Sequence, residues 1–356
     1  MTELHCCQLT GFGQPLEVST RPLPEPRGEE VLLRVTGAGV CHSDVHIAEG
    51  GYDLGQGRSL SFKERIRFPL TLGHETTGEV VALGSGAHGV APGDQVLVYP
   101  WIGCGDCAVC RAGQENLCLS PDFIGVNRDG GYADHILVPS ARHLVDIAGL
   151  DPVKAAPLPC SGLTTYSALR KFGPRLESVP TVVMGAGGLG LMALGLMQRM
   201  GAPGAIVVEP DAARRQAALE AGARAVVDPG AEAAAETIRQ AADGEVLSVL
   251  DLVGNTASLT LALDLLGKGG QVVVVGLMGG DINLPIPYLP MRALTISGSY
   301  NGNLGELREL VDLVRKTGLP ELPIERRPLH QAEASLEDLR AGRVVGRIVM
   351  TPEASE

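Results

Sequence analysis

Four of the chain's eight cysteines fall inside one short run, CGDCAVCRAGQENLC, as Cys104, Cys107, Cys110 and Cys118. The spacing C-x2-C-x2-C-x7-C lets a single loop wrap four thiolates around a tetrahedral ion, which suits zinc. Four thiolates also fill the coordination sphere and leave no position for water or substrate. The expected role is therefore a structural zinc, with an iron–sulfur cluster as the alternative that satisfies the same ligand count. Catalysis would need a second metal with three protein ligands and an open position. Candidate ligands outside the cluster are Cys41 in GVCHSDVH, His74 in LGHETTGE and Cys160 in PLPCSGLTTY. Two thiolates and a neutral imidazole would leave a formally neutral zinc centre able to polarise an alcohol. The three are far apart in the chain, and buried structural cysteines are the commoner fate of such residues, so spacing alone leaves both readings open. Cys6 and Cys7 belong to an expected first strand, where cysteine acts as a small hydrophobe.

The third chemical signal is GAGGLG at 185–190, which follows the apolar run TVVM and opens the helical run LMALGLMQRM. In that context Gly185 permits the tight turn, Gly187 lets backbone amides approach a pyrophosphate, and Gly190 lets helix and strand pack closely. Gly188 and Leu189 complete the loop before the helix, whose N-terminal unpaired N–H groups favour an anion. Glu209 ends the next apolar run, AIVVEP, where a carboxylate accepts hydrogen bonds from ribose hydroxyls and repels a 2′-phosphate. This favours NAD over NADP, although Arg214 and Arg215 follow closely enough to meet a 2′-phosphate.

The elements that must carry these groups differ between the two parts of the chain. Up to about residue 150, short strands such as EEVLLRVTGAG, TGEVVALGSG, GDQVLVYP and YADHILVPS are broken by Gly and Pro turns. From Thr181 onward, apolar runs alternate with Ala-rich helical stretches, the pattern of β-α-β units on a parallel sheet. The strands TVVM, AIVVEP, AVVD, SVLDLVG, QVVVVGL and ALTISGSY make a six-stranded set, the count of a full dinucleotide fold. The stretches PDAARRQAALEAGA and NTASLTLALDLLGKGG carry N-terminal caps, helical periodicity and terminal glycines. After Tyr300 come one helix, LGELRELVDLVRKTG, a Pro-rich link and a last strand, VVGRIVM. The fold class is thus α/β, a Rossmann doubly wound parallel sheet with a mainly β catalytic unit.

Bulk properties narrow the partners. With 356 residues, 45% of them hydrophobic, the chain can bury a large core and divide into two domains. A formal net charge of −12 opposes non-specific attraction to nucleic acid or anionic membrane, so the expected partner is a small molecule. The N-terminus MTELHCCQLTGFGQPLEV has no basic region followed by an apolar one, and the longest apolar runs are glycine-rich and follow a strand signal. A cytoplasmic protein without a transmembrane segment is expected.

Taken together, GVCHSDVH, GHETTGEV, CGDCAVCRAGQENLC, GAGGLG and PLPCSGLTTYSAL stand in the order found in zinc-dependent medium-chain alcohol dehydrogenases, and they cover nearly the whole chain. The chain resembles the bacterial and yeast-type members of that family. The resemblance implies a GroES-like catalytic domain over residues 1–161 and 300–356, with its zinc lobe at 104–118, around a Rossmann domain over 162–299. It implies two zinc ions per chain, a catalytic one on Cys41, His74 and Cys160 and a structural one on the four-cysteine lobe. Asp44 and Glu75 would support the catalytic ligands, Ser43 would hydrogen-bond the substrate oxygen, and His46 would end a proton relay to solvent. His42 stands where many relatives carry an Arg near the coenzyme pyrophosphate, which predicts faster coenzyme release than with Arg; Arg347 matches another position near that anion. The reaction implied is reversible, NAD-linked oxidation of a primary or secondary alcohol to an aldehyde or ketone, through a zinc-bound alkoxide and hydride transfer to nicotinamide. A homotetramer is implied, with a dimer as the alternative. Polyol, threonine-type and acyl-CoA-linked alcohol dehydrogenases share the same motifs. A zinc-free reductase would not be expected to present both sets of ligands, and a non-enzymatic dinucleotide-binding protein is the remote alternative. The stretch EGGYDLGQGRSLSFKERIRFP departs from the simple loop of the yeast-type enzymes, and Tyr52 and Trp101 are candidates for the pocket lining.

Overall fold

The structure, a computed structural model, describes residues 2–352. The first part of the chain builds on the strand Val31–Gly39, whose apolar residues are buried almost throughout. That strand pairs antiparallel with Glu75–Leu83, with His135–Val138 and with the last strand, Arg347–Thr351. Glu75–Leu83 continues to Gln95–Val98 and then to Leu144–Asp146. The segment after residue 300 thus returns to the first sheet, and Ile324–Pro328 runs parallel to the last strand at its edge. Cys6 and Cys7 lie buried in the first strand, Glu3–Leu9, as their apolar character predicts.

The central part forms a six-stranded parallel sheet. Its strands are Thr181–Met184, Ala205–Val208, Ala225–Val227, Val246–Asp251, Leu266–Val274 and Thr295–Gly298. Numbered along the chain, their spatial order is 3-2-1-4-5-6, the doubly wound arrangement whose crevice opens at the carboxyl ends of the central strands. All six expected strands are present. Helices Gly188–Arg199, Ala212–Glu220 and Thr256–Leu265 connect them, the latter two capped by Asp211 and Asn255 side chains. One expectation fails at the end of Thr256–Leu265. The helix passes directly into a strand that begins at Leu266, so Gly267, Gly269 and Gly270 are strand residues and not a helix terminus. Close approach explains the first of them, since a Cβ on Gly267 would lie 2.1 Å from Glu245 Oε2.

The apolar core is continuous across the two parts. Leu97, Tyr99 and Leu163 join Val183, Leu191 and Leu307 in one buried cluster. The charged stretch before His74, expected as a loop, contains a hairpin of Gly51–Asp53 with Ser59–Ser61. Among the described residues no helix is long and apolar enough to cross a membrane.

Candidate active site and metal centres

Each residue of the separated trio is delivered by the end of an element. Cys41 caps the helix His42–Glu49, just beyond the strand Val31–Gly39, and its N–H donates to the Asp44 carboxylate at 3.0 Å. His74 precedes Glu75, the first residue of the strand Glu75–Leu83. Gly73 before it is left-handed at φ 97°, and a Cβ there would strike the Tyr132 ring at 2.4 Å. Cys160 sits in a π-helical turn, Leu158–Gly162, a local departure of the kind often found at functional sites. The ligand atoms of Cys41, His74, Cys160 and Glu75 all lie within 4.8 Å of one another, and all four residues are buried. No local spacing rule could have assembled this set.

The donor chemistry fits a zinc ion. Asp44 accepts from Tyr132 Oη at 2.8 Å and lies 3.1 Å from His74 Nδ1. That pairing places the ring proton on Nδ1 and leaves the Nε2 lone pair for a cation. His74 Nε2 is buried with no hydrogen-bond partner, an arrangement costly without a ligand. Cys41 and Cys160 sulfurs are 3.9 Å apart. The hydrogen bond between them drives the Cys41 thiol well below its usual value and Cys160 well above it, as expected where two buried sulfurs cannot both ionise unaided. A divalent cation removes that conflict. For His74, burial opposes the charged form, but the Asp44 carboxylate more than offsets it. Asp44→Asn should weaken zinc binding at this site about 10- to 100-fold, measured by competition with a chromogenic chelator; unchanged affinity would remove Asp44 from this role.

Trp101 packs beside the ligands, its ring 5.4 Å from His74 and edge-on to Phe123. Its indole N–H donates to Pro159 O at 2.9 Å and the side chain is buried, so it steadies the ligand-bearing turn.

The four-cysteine run folds as a lobe in which Cys107 Sγ lies 3.4 Å from Cys110 Sγ and 3.9 Å from Cys118 Sγ. All four sulfurs are within 4.8 Å of one another. Cys118 also accepts backbone N–H groups from Cys104 and Ser120. Hydrogen bonds from the Asp106 and Cys107 backbone, with one from Cys118, lower the Cys104 thiol to about 6, a thiolate-favouring setting. The set fits a closed structural zinc.

Across the cleft, Gly185 is left-handed at φ 95°, and a Cβ on Gly190 would lie 2.1 Å from Gly185 O. A Cβ on Gly187 meets nothing within 4 Å, so that glycine keeps clear a space that no protein atom fills. The helix that starts at Gly188 has no side-chain cap, and an uncapped helix N-terminus is a setting that suits a pyrophosphate. Leu189 lies in its first turn. Glu209 is buried and accepts from Ala186 N at 2.8 Å and Asp211 N at 3.0 Å, so it also fastens the glycine loop to the neighbouring strand.

Arg347 joins the two sides. A Cβ on Gly188 would lie 2.4 Å from Arg347 Cδ, which puts the side chain at the glycine loop, while its guanidinium pairs with the buried Glu75 carboxylate. Burial raises Glu75 to about 7, with Arg347 pulling it back. Arg214 has its guanidinium engaged by Gly342 O at 2.8 Å and Val344 O at 3.5 Å, and Arg215 by Glu209 O and Pro210 O. His42 is the first residue of the helix after Cys41; desolvation lowers its imidazole, Cys41 opposes this, and the fields of His46, Arg214 and Arg347 add to the lowering. Ser43 and His46 are three apart on one helix, on a common face. Burial lowers the His46 ring, opposed by Glu49.

Two contacts had no signal in the sequence. Tyr132, in the bend before His135–Val138, donates to Asp44, and Asn116 of the cysteine lobe donates to Tyr300 O at 2.8 Å.

Comparison with known proteins agrees with this geometry. Residues 27–149 match the alcohol dehydrogenase GroES-like domain and residues 188–316 the zinc-binding dehydrogenase family. The NAD-dependent alcohol dehydrogenase of Sulfurisphaera tokodaii is 33% identical, covering 98% of this chain and 100% of its own. The D-arabinose 1-dehydrogenase (NADP(+)) of Saccharolobus solfataricus is also 33% identical, over 99% of both chains. The crystal structure of the alcohol dehydrogenase from Aeropyrum pernix superposes with a TM-score of 0.87 at 30% identity, covering 98% of this chain and 100% of that one. The chain belongs to the zinc-type medium-chain alcohol dehydrogenases.

Proposed function

We propose that the chain catalyses reversible, NAD-linked oxidation of a primary or secondary alcohol to the aldehyde or ketone. The observation that carries this reading is the buried set of Cys41, His74 and Cys160, which faces the glycine loop across a cleft that Arg347 spans. Zinc on that set would supply Lewis acidity toward the alcohol oxygen, and NAD would accept the hydride. The chain's own residues do the rest. Asp44 fixes the tautomer of His74, and Glu75 with Arg347 holds the floor beneath the ligands. Ser43 Oγ would accept a hydrogen bond from the substrate hydroxyl, and His46, held neutral by burial at the cleft rim, would take the proton toward solvent. Residues 1–161 and 300–356 then serve as the catalytic unit and 162–299 as the coenzyme unit. Formation of NADH across a panel of linear, branched and aromatic alcohols, polyols and aldoses tests the proposal; no turnover with any of them would overturn it.

Preference for NAD rests on Glu209, together with the engagement of Arg214 and Arg215 by backbone carbonyls. Glu209→Ala should shift the kcat/KM ratio toward NADP by about 10- to 100-fold, the size expected when one charge repulsion is removed. Because Glu209 also anchors Ala186 N, some loss of NAD affinity should accompany it; an unchanged cofactor ratio would reject the assignment.

Self-association is supported by the edge strand Thr295–Gly298, which among the described residues is unpaired on its outer side. Its own Ile296 is exposed, as are Ile286 and Met291 in the segment that precedes it, a pattern that favours continuation of the sheet into a second copy. A homotetramer built from such pairs is the proposed assembly, and thiolate-based zinc sites are consistent with a cytoplasmic location.

A further inference from the structure

The charged stretch before His74 has no part in the function described so far. Over residues 58–67 it carries Arg58, Lys63, Arg65 and Arg67 against Glu64 alone, in a chain whose formal net charge is −12. Arg58 turns its guanidinium to Leu54 O and Gly55 O. Lys63, Arg65 and Arg67 are exposed and have no ion pair among the described residues. The backbone of Arg65 is pinned from two sides. On one side its N–H donates to Phe62 O at 2.9 Å. Phe62 is buried, and its ring lies 5.2 Å from that of Tyr52, which stands 4.9 Å from the His46 ring. On the other side Arg65 O accepts from Asn127 Nδ2 at 3.3 Å, and Asn127 Oδ1 accepts from Phe123 N at 3.1 Å. Phe123 packs edge-on to Trp101, whose ring is 5.4 Å from that of His74. Both supports therefore end at groups of the proposed alcohol site. The Arg65 charge is felt there too. Burial raises the Tyr300 phenol, the field of Cys160 adds to this and that of Arg65 opposes it, so one hydroxyl senses a zinc ligand and the guanidinium together. The acids on the two supports are already engaged, Glu49 by Arg340 and Asp122 by Arg128.

We infer that Arg65 is a specificity-determining residue: its guanidinium receives a carboxylate at the far end of the substrate, so that the preferred alcohols are ω-hydroxy carboxylates. The inference rests on the alcohol site proposed above and names its substrate class. The aromatic rings of the two supports offer apolar surface to a methylene chain but nothing to a charge, so an anion has to be met at the rim. A guanidinium presents a planar fork that matches a carboxylate with two parallel N–H···O bonds. One cation balances one negative charge, which is the charge a carboxylate brings. Lys63 and Arg67 add a positive field around Arg65 in an otherwise acidic protein, and such a field raises the encounter rate with anions. In the reaction the hydroxyl end loses a hydride to NAD and a proton to solvent, giving the ω-oxo carboxylate. The carboxylate end is unchanged.

The test compares alkanols from butanol to octanol with the matching ω-hydroxy carboxylates, on the zinc-loaded enzyme and on its Arg65→Gln and Arg65→Lys variants. At the best chain length kcat/KM should favour the hydroxy acid over the alkanol about 10-fold, the effect of one charge-assisted contact. Arg65→Gln should abolish this preference, and Arg65→Lys should retain part of it. A merely structural role would lower both substrates together and leave their ratio unmoved. The preference should also shrink toward about 1 M salt, where the Debye length is ~3 Å. Alkanols favoured at every length, or a preference that survives Arg65→Gln, would overturn the inference. If the wild type oxidised no alcohol, the proposed function would fall, and the carboxylate site would be judged by binding. Trp101 is the only tryptophan of the chain, so its fluorescence reads occupancy without turnover. In a titration with ω-hydroxyhexanoate, binding about 10-fold weaker to Arg65→Gln than to wild type supports the site, and equal binding rejects it.

Discussion

Cys107→Ala is expected to leave a protein with one zinc per chain in place of two, which unfolds about 10 °C earlier than the wild type but keeps its catalytic ligands assembled. Cys107 Sγ is in contact range of Cys110 and Cys118, so its loss leaves three thiolates around a closed site that has no other donor among the described residues. The folding energy that a structural zinc contributes is then lost, and a penalty of roughly 3–5 kcal/mol belongs to the class of metal-site losses. Two further contacts tie this neighbourhood to the junction between the sheets. Asn116 of the lobe donates to Tyr300 O, and Tyr99 Oη donates to Gly302 O at 3.1 Å. The junction should loosen with the lobe. Cys41, His74 and Cys160 are held from other elements, by Asp44, Tyr132 and the turn Leu158–Gly162. Turnover per zinc-bearing folded molecule should therefore remain within a few-fold of wild type. Metal analysis with scanning calorimetry reads both parts. A variant with normal stability that loses only turnover would mean that the lobe takes part in the chemistry.

The same contrast explains what could be read from the sequence. The four-cysteine lobe is local: one loop carries every donor, and its spacing alone specifies a closed site. The glycine loop is local too, because strand, turn and helix follow in order within a few residues and each glycine has its own steric duty. The catalytic set is a product of topology. Cys41 comes from a helix cap, His74 from the start of a strand and Cys160 from a π-turn, and only resemblance to a family could group them from sequence. Glu209 was legible as a strand-end carboxylate, but its grip on Ala186 N depends on how adjacent strands sit. The hairpin tip was opaque for another reason. Its glycines and charged residues read as a surface loop, and the partner that explains them, Gly279–Asp281, lies more than two hundred residues away.

Arg347→Met should have the largest effect on binding and stability together, because that side chain serves two buried demands. Arg347 is 5% exposed and Glu75 is fully buried. The guanidinium neutralises a carboxylate that burial pushes up, to about 7 even with Arg347 pulling it down. Removing one partner of a buried pair leaves an uncompensated charge and costs about 3–5 kcal/mol, less whatever Glu75 recovers by taking up a proton. The second demand lies at the glycine loop, where Arg347 Cδ packs against Gly188 and the charge faces the proposed pyrophosphate position. Losing a cation there should weaken NADH binding about 10-fold or more. The two effects can be separated by adding Glu75→Gln. The double variant no longer buries a lone carboxylate, so urea denaturation should recover most of the lost stability. Fluorescence titration should show NADH affinity still reduced, since the neutral pair restores nothing at the loop. Recovery of both quantities would place Arg347 in the ion pair alone, and recovery of neither would mean that packing against Gly188, and not charge, is what the fold requires of it.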